Sequence, residues 1–516
     1  MRILKSDSTK QIKIGMILSY LNIGIGNLIP LFYTPIMLKL LGQSEYGLYK
    51  IATSTTSYLS LMTFGLGAAV SRYLIKANVE RGKAAEENVF GLFNLIFSII
   101  TFLTLLVGGI LVLCLDVLYG ESLTNTEMIR MKILVAIMVV NTAVGFSATA
   151  YNSEVTSHER FVFIQLLNIL STIVVPIINL VILFMGYRSI GMTVVSLVIN
   201  VIIRILYVVY VRKALGLRPR YKNMPFPILK EVLFFSFWIF VSTIVSRINT
   251  STDLIVIGAI PELATTGAAV YSVGYTFSSI MFSLAQASSS VFMPKANKLV
   301  FSGCSDEELS NLVIKVGRIQ SFVVVLVCSG FIAFGRQFLE FYAGPEYYLA
   351  YWVAIIIMIP DCIPLTQSVA NSIIQAKNKH SFRALVYLGI ALLNVVGTIL
   401  LTKQYGIVGA AIPTGLSYVI GQGLIMNWYY WKKIHLDIPR FWKNLLPIIV
   451  IGGLLCCITL IISNWIDFFE ISCFFVGVFV YVIAYCICLW KIVFNREEKA
   501  LICGIFNKIF KKKQQE

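Results

Sequence analysis

Charged residues are scarce in this sequence. Only 13% of its 516 residues are Asp, Glu, Lys or Arg, whereas a soluble globular protein has about 25%. Hydrophobic residues make up 58% of the chain, and the mean hydropathy is +0.83. Because so few polar residues cannot cover so much apolar surface, lipid must cover it. The composition excludes a soluble globular protein and predicts an all-α membrane protein that crosses the bilayer many times.

Residues that bind metals or nucleotides are also few. The chain has three histidines, and no two of its ten cysteines form a CxxC pair. Most of the cysteines lie in apolar segments, so we expect them to serve in packing and predict no metal site. The phosphate-binding pattern GxxxxGK[ST] is absent, so no nucleotide cofactor is expected.

Positive charge is plentiful, because the formal net charge is +17. Most Lys and Arg residues lie in alternate connecting segments, which is the asymmetry that marks the cytoplasmic side of membrane proteins. We therefore predict that both termini are cytoplasmic and that the protein does not bind nucleic acid.

Apolar segments of spanning length divide the chain. About 20 apolar residues cross a bilayer as a helix, and this criterion predicts about fourteen transmembrane helices. The connecting segments are short and leave no room for an extramembrane domain. The predicted spans lie near residues 14–40, 46–75, 88–118, 131–151, 162–186, 190–211, 232–258, 267–293, 316–342, 350–375, 384–402, 407–431, 444–464 and 471–492.

Two halves of the chain resemble each other weakly. Lys76-Ala77-Asn78 recurs as Lys295-Ala296-Asn297, and Asn152-Ser153 recurs as Asn371-Ser372 at the same offset. We interpret this as two parallel six-helix lobes, an N-lobe at 14–211 and a C-lobe at 232–431, a plan common in alternating-access transporters. An extra helix pair at 444–492 and a basic, amphipathic cytoplasmic tail at 493–516 would follow.

Several short segments are similar to those of a known family. They include Leu41-Gly42-Gln43-Ser44-Glu45-Tyr46-Gly47, Phe64-Gly65-Leu66-Gly67-Ala68-Ala69, Asp253-Leu254-Ile255-Val256-Ile257-Gly258 and Tyr405-Gly406-Ile407-Val408-Gly409-Ala410-Ala411. Together with the fourteen-span plan, they resemble the polysaccharide flippases of the multidrug, oligosaccharidyl-lipid and polysaccharide exporter superfamily.

The resemblance implies a function. It indicates a non-enzymatic flippase of the bacterial plasma membrane that moves undecaprenyl-diphosphate-linked repeat units for surface polysaccharide synthesis. Its partners would be the lipid-linked oligosaccharide and polysaccharide polymerase or assembly proteins. A drug or cation antiporter of the same superfamily is an alternative, although the first span has no acidic residue. A membrane glycosyltransferase or polymerase is another, although no catalytic carboxylate cluster is apparent.

Arginines within spans are the candidates for substrate binding. A charge at the bilayer centre costs ~2.5–3.5 kcal/mol on insertion scales, so such residues usually face a cavity or a partner. Arg247 lies among polar residues of the seventh span, and its planar guanidinium suits a diphosphate. Pairing with an aspartate is the alternative. Arg204 and Arg72 are further candidates, with snorkelling to the interface as the alternative.

Two aspartates lie inside predicted spans. Asp361 is placed between Pro360 and Pro364, which remove backbone hydrogen-bond donors. It is a candidate for ion coupling or for balancing the charge of Arg247. Asp253 lies near the outer end of its span and is a candidate for coupling or for a structural role.

Overall fold

The computed structural model describes residues 8–377, 379–496 and 498–500. Within these ranges the secondary structure is entirely helical, which confirms the predicted all-α fold. The α-helices are α1 Ser8–Leu41, α2 Gln43–Ser57, α3 Leu66–Tyr119, α4 Asn125–Ser157, α5 Phe161–Phe184, α6 Arg188–Tyr210, α7 Ile228–Gly258, α8 Ala264–Phe301, α9 Asp306–Tyr342, α10 Tyr348–Thr366, α11 Ser368–Ala376, α12 His380–Ser417, α13 Asn427–Lys432, α14 Ile438–Ile462 and α15 Ile471–Cys488.

Shorter helical pieces continue or connect these helices. Tyr58–Thr63 and Pro345–Tyr347 are 3₁₀ turns, and π-helical turns occupy Val211–Leu215, Tyr418–Met426 and Leu489–Val493. Twelve helical stretches in the described residues are long and apolar enough to span a membrane. The protein is therefore a multi-pass membrane protein, whereas the count of about fourteen spans is not confirmed.

Two places account for the difference in count. The predicted span at 46–75 is interrupted by Phe64 and Gly65, whose φ angles of 47° and 69° are left-handed, so it is divided between α2, a 3₁₀ turn and the start of α3. The predicted spans at 384–402 and 407–431 form one helical stretch of 52 residues, Ser381–Lys432. Gly406, with φ 62° and ψ −143°, breaks the helical geometry within it.

The chain divides into two compact units. The first comprises Met1–Gly274 and Ser381–Ser417, and the second comprises Tyr275–His380 and Tyr418–Glu516. These units differ from the predicted lobes, whose boundaries stay a prediction. Residues 501–516, the greater part of the predicted amphipathic tail, lie outside the described residues.

In the first unit, α3 packs against α4, α1 against α5, and α4 against α6. A buried apolar cluster joins α3, α4 and α6, with the Phe90 and Tyr151 rings edge to face at 5.2 Å. The start of α8 approaches α2 closely at Gly47, where a Cβ would lie 1.7 Å from the carbonyl oxygen of Thr265. Only glycine permits that approach of α2 to α8.

In the second unit, α9 is the central helix and packs against α10, α14 and α15. Its Arg318 forms a buried ion pair with Glu498, with Nε–Oε1 and Nη2–Oε2 distances of 2.7 and 2.9 Å. The same guanidinium donates to the carbonyl oxygens of Asn444 at 2.8 Å and Val493 at 3.0 Å. One arginine therefore joins α9, α14 and the segment after α15.

Candidate functional site

A cluster of polar residues surrounds Asp253 in the first unit. Asp253 lies on α7, and only 4% of it is exposed. Tyr271 on α8 donates a hydrogen bond to its carboxylate, as do Thr414 at 2.9 Å and Thr398 at 3.1 Å, both on α12. Asn394 links the two threonines: its Oδ1 lies 3.0 Å from Thr398 Oγ1, and its Nδ2 lies 3.2 Å from Thr414 Oγ1. These five residues are the Asp253 cluster.

In the Asp253 cluster, two acceptor oxygens lie beside one hydroxyl group. Thr398 Oγ1 is within hydrogen-bonding distance of both Asp253 Oδ1 and Asn394 Oδ1, yet a hydroxyl has one proton and donates to one of them at a time. The carboxylate of Asp253 and the amide oxygen of Asn394 therefore compete for the single proton of Thr398. Carboxylate and amide oxygens are ligands of hard cations.

Arg247 lies two turns before Asp253 on α7. Its Nε donates to Ser60 Oγ at 2.9 Å, and the side chain is half-buried. The 3₁₀ turn that contains Ser60 makes a second contact with α7, where Tyr58 Oη lies 2.6 Å from Thr252 Oγ1. Among the described residues of the first unit, Arg247 and Asp253 form no ion pair, and the Nη groups of Arg247 have no hydrogen-bond partner. Within the described part of this unit, the guanidinium is thus anchored through one nitrogen.

The other two predicted arginines have different surroundings. Arg72, on α3, is exposed, and its guanidinium lies 5.2 Å from the centroid of the Phe235 ring on α7. Arg204, on α6, is half-buried, and no described residue of this unit makes a hydrogen bond or an ion pair with it. The three arginines therefore lie on three different helices of the first unit.

Asp361 belongs to the second unit. It is 5% exposed and lies inside α10, together with Pro360 and Pro364. No described residue of the second unit donates a hydrogen bond to its carboxyl group or pairs with it. Its surroundings therefore differ from those of Asp253.

Several buried acidic residues near the ends of helices were not predicted. Glu45, which is 6% exposed, accepts from Arg130 Nη1 at 2.8 Å and from the Ser189 hydroxyl. Glu86 and Glu154, exposed by 1% and 0%, lie beside His158. The sequence contained one indication of the last three residues. Glu154 and His158 are four apart, so they share one face of a helix.

His158 is the C-terminal cap of α4 and lies in the short segment that connects α4 to α5. Burial lowers the pKa of its imidazole below the ordinary value, and the positive charge of Arg160 lowers the pKa further. The imidazole is therefore neutral at neutral pH, the form in which histidine binds metal ions. The cluster of Glu86, Glu154 and His158 is thus a second polar site of the first unit, apart from the Asp253 cluster.

These features define a class, a polytopic α-helical membrane protein with charged residues inside its spans. A solved structure of the lipid II flippase MurJ, in an inward closed conformation, has the same fold: the TM-score is 0.71 at 16% identity, covering 93% of this chain and 100% of that chain. An inward-facing multidrug resistance MATE transporter is also similar, with a TM-score of 0.63 at 12% identity, covering 85% and 99% of the two chains.

The sequence places the protein more narrowly. It belongs to the polysaccharide biosynthesis protein family, whose model matches residues 13–300, more than half of the chain. It is also 23% identical over 204 residues to a Haloferax volcanii protein described as "Probable low-salt glycan biosynthesis flippase Agl15". That match spans 39% of this chain and 41% of the relative's length. The predicted resemblance to a polysaccharide biosynthesis family is confirmed, and the fold is the one that the two solved transporters share.

Proposed function

We propose that this protein is a flippase for lipid-linked oligosaccharides. Its cargo would be an undecaprenyl-diphosphate-linked repeat unit, moved from the cytoplasmic to the outer leaflet of a bacterial plasma membrane for surface polysaccharide synthesis. The family to which the chain belongs supports the pathway, and the names of its relatives support the flippase activity. Both termini would be cytoplasmic, and polymerase or assembly proteins would receive the cargo.

The observation that carries the proposal is the state of Arg247. A guanidinium in a spanning helix needs compensation for its charge. Within the first unit Arg247 has one hydroxyl partner, Ser60, and no anionic one among the described residues. A diphosphate would supply the missing negative charge, since guanidinium nitrogens form parallel hydrogen bonds with phosphate oxygens.

The other two arginines would have supporting roles. Arg204 has no partner among the described residues of its unit, so it is a second candidate for the diphosphate. The Arg72 guanidinium lies over the Phe235 ring, and its role would be to meet the headgroup at the membrane interface. The polyprenyl chain would remain in lipid while the headgroup crosses the membrane.

Asp253 and Asp361 are the candidates for energy coupling. The chain has no nucleotide-binding motif, so we propose that an ion gradient or the membrane potential drives transport; the potential supplies roughly 2.3 kcal/mol per charge per 100 mV. A cation or proton at the Asp253 cluster would change its internal hydrogen bonds. Because Asp253 and Arg247 are both on α7, such a change would link ion binding to the position of Arg247. This link would drive alternating access between the two predicted lobes.

The proposal can be tested in liposomes. Purified protein would be reconstituted with a fluorescent polyprenyl-diphosphate oligosaccharide, and translocation followed by access of an external glycosidase. Loss of a charge-assisted hydrogen bond costs ~1.5–3 kcal/mol, equivalent to a roughly 10- to 100-fold effect. We expect Arg247→Ala to reduce translocation by that factor. Arg247→Lys should restore it only in part, because a point charge lacks the planar fork.

The control is Arg440→Ala, which removes an exposed arginine at the start of α14. It should translocate at the wild-type rate. Wild-type translocation by Arg247→Ala at equal protein abundance would contradict the headgroup role. Transport of drugs or organic cations in place of the lipid-linked sugar would support the antiporter alternative.

A further inference from the structure

Three potential metal ligands converge in the first unit, away from the Asp253 cluster. One ligand atom from each of Glu86, Glu154 and His158 lies within 4.8 Å of the other two. Glu86 belongs to α3, Glu154 belongs to the last turn of α4, and His158 caps that helix. His158 Nε2 is 3.4 Å from Glu86 Oε1. The three side chains thus face one small volume between two helices.

The two carboxyl groups are deeply buried. Glu86 and Glu154 are exposed by only 1% and 0%. Two carboxylates this close in a dry environment repel each other, so the pair must hold a proton or a cation. Glu86 Oε1 and Glu154 Oε1 are both buried, and no group outside this pair donates a hydrogen bond to either of them among the described residues. A buried oxygen left in this way costs free energy, which a bound ion would recover.

Neighbouring side chains hold the ligands in place. Asn78 Nδ2 donates to Glu86 Oε2 at 2.9 Å, and Ser157 Oγ lies 3.4 Å from Glu154 Oε2. Glu86 therefore has one oxygen fixed by a neighbour, whereas the Ser157 hydroxyl donates chiefly to the main-chain carbonyl of Glu154, at 2.8 Å. Hydrogen bonds of this kind orient the ligands of protein metal sites. The adjacent Glu87 points elsewhere, because its carboxylate pairs with Arg220 at 2.7 Å.

We propose that Glu86, Glu154 and His158 bind one divalent transition-metal ion. One imidazole nitrogen and two carboxylate oxygens are ligands suited to Zn²⁺ or Mn²⁺, with water completing the shell. Both carboxyl groups must be ionised to serve as ligands, so binding would release any proton that they hold. This proposal does not depend on the flippase proposal.

The position of the site indicates what the ion does. Asn78 and Glu86 lie on opposite sides of Gly82, whose φ of 75° and ψ of −175° break the helical geometry of α3. A metal bound there would join the second part of α3 to the end of α4, on the side of the membrane that is predicted to be cytoplasmic. The ion would thus be structural and would fasten two spanning helices at one end.

The test uses the full-length protein in detergent, stripped with EDTA and titrated with ZnCl₂ or MnCl₂ by calorimetry. We expect one ion per chain and a rise in Tm of at least about 3 °C at saturation. Glu154→Gln, Glu86→Gln and His158→Asn should each weaken binding at least tenfold. Asn78→Ala should weaken it roughly tenfold through ligand orientation.

Two matched controls accompany these variants. Glu87→Gln changes a neighbouring carboxylate outside the cluster, and His435→Asn changes an exposed histidine. Both should bind the metal as the wild type does. If a glutamate variant fails to fold, His158→Asn decides, because this side chain is 23% exposed at a helix end. No binding of either metal by the wild type, or unchanged binding by His158→Asn, would overturn the proposal and leave a proton as the occupant.

Discussion

Asp253 and Asp361 are both buried aspartates in spanning helices, but their surroundings differ. Asp253 accepts hydrogen bonds from three hydroxyl groups of two other helices. Asp361 lies between two prolines of α10, and no described residue of its unit hydrogen-bonds to it. The first carboxylate is part of the structure that joins α7, α8 and α12. The second is equally buried but has no such partner among the described residues of its unit.

This difference separates two kinds of intramembrane charge. A carboxylate with several donors is stabilised by them, and its removal leaves those donors unsatisfied. A buried carboxyl group without donors contributes no such stability and costs free energy to desolvate. Loss of Asp253 should therefore affect stability and transport together, whereas loss of Asp361 should affect transport alone.

The largest effect on stability is expected from Asp253→Ala. The hydroxyls of Tyr271, Thr398 and Thr414 would lose their common acceptor, and we expect the free energy of unfolding to fall by about 3 kcal/mol. Asp253→Asn, which keeps one acceptor oxygen, should lose less. Thermal unfolding in detergent measures both variants. A wild-type Tm for Asp253→Ala would show that the hydrogen bonds add no stability.

A smaller effect is expected from the threonines. Thr398→Val and Thr414→Val should each cost about 1 kcal/mol, and either one combined with Asp253→Ala should cost less than the sum of the two losses. Thr104→Val is the control, because Thr104 is fully buried and donates only to the Ile100 carbonyl of its own helix. Additive losses in the double variants would argue against a connected Asp253 cluster.

The smallest effect on stability is expected from Asp361→Asn. With no hydrogen bond to lose in its unit, the variant should unfold within about 0.5 kcal/mol of the wild type. Its translocation should nevertheless fail or lose its pH dependence, because asparagine mimics the permanently protonated acid. Glu340→Gln, an exposed position on α9, serves as the control. Lower membrane abundance of Asp361→Asn would indicate that Asp361 balances a buried cation, and normal translocation would exclude coupling.

The spanning helices could be predicted because their signal is local. An apolar run of about 20 residues identifies a span without knowledge of its neighbours. The interruption at Gly65 was not predicted, because a single glycine in an apolar segment is compatible with a continuous helix. The position of Asp253 in a predicted span was equally visible in the sequence, and its coupling or structural role stays a prediction.

The partners of these residues could not be predicted. Thr398 and Thr414 are 145 and 161 residues from Asp253 in sequence, and Ser60 is 187 residues from Arg247. Contacts over such separations depend on how the helices pack. The periodicity of a single sequence does not show which helices pack together. The same limit concealed Glu86, which meets Glu154 and His158 only through the packing of α3 on α4.

The ion pair between Arg318 and Glu498 also determines when the second unit can be completed during synthesis. The two residues are 180 positions apart, and at about 5–20 residues per second a ribosome needs roughly 10–35 s to make the intervening chain. During that interval α9 contains an arginine whose carboxylate partner does not yet exist. The contact between Arg318 and Glu498 can therefore form only late in translation, after the other helices of the second unit have been made.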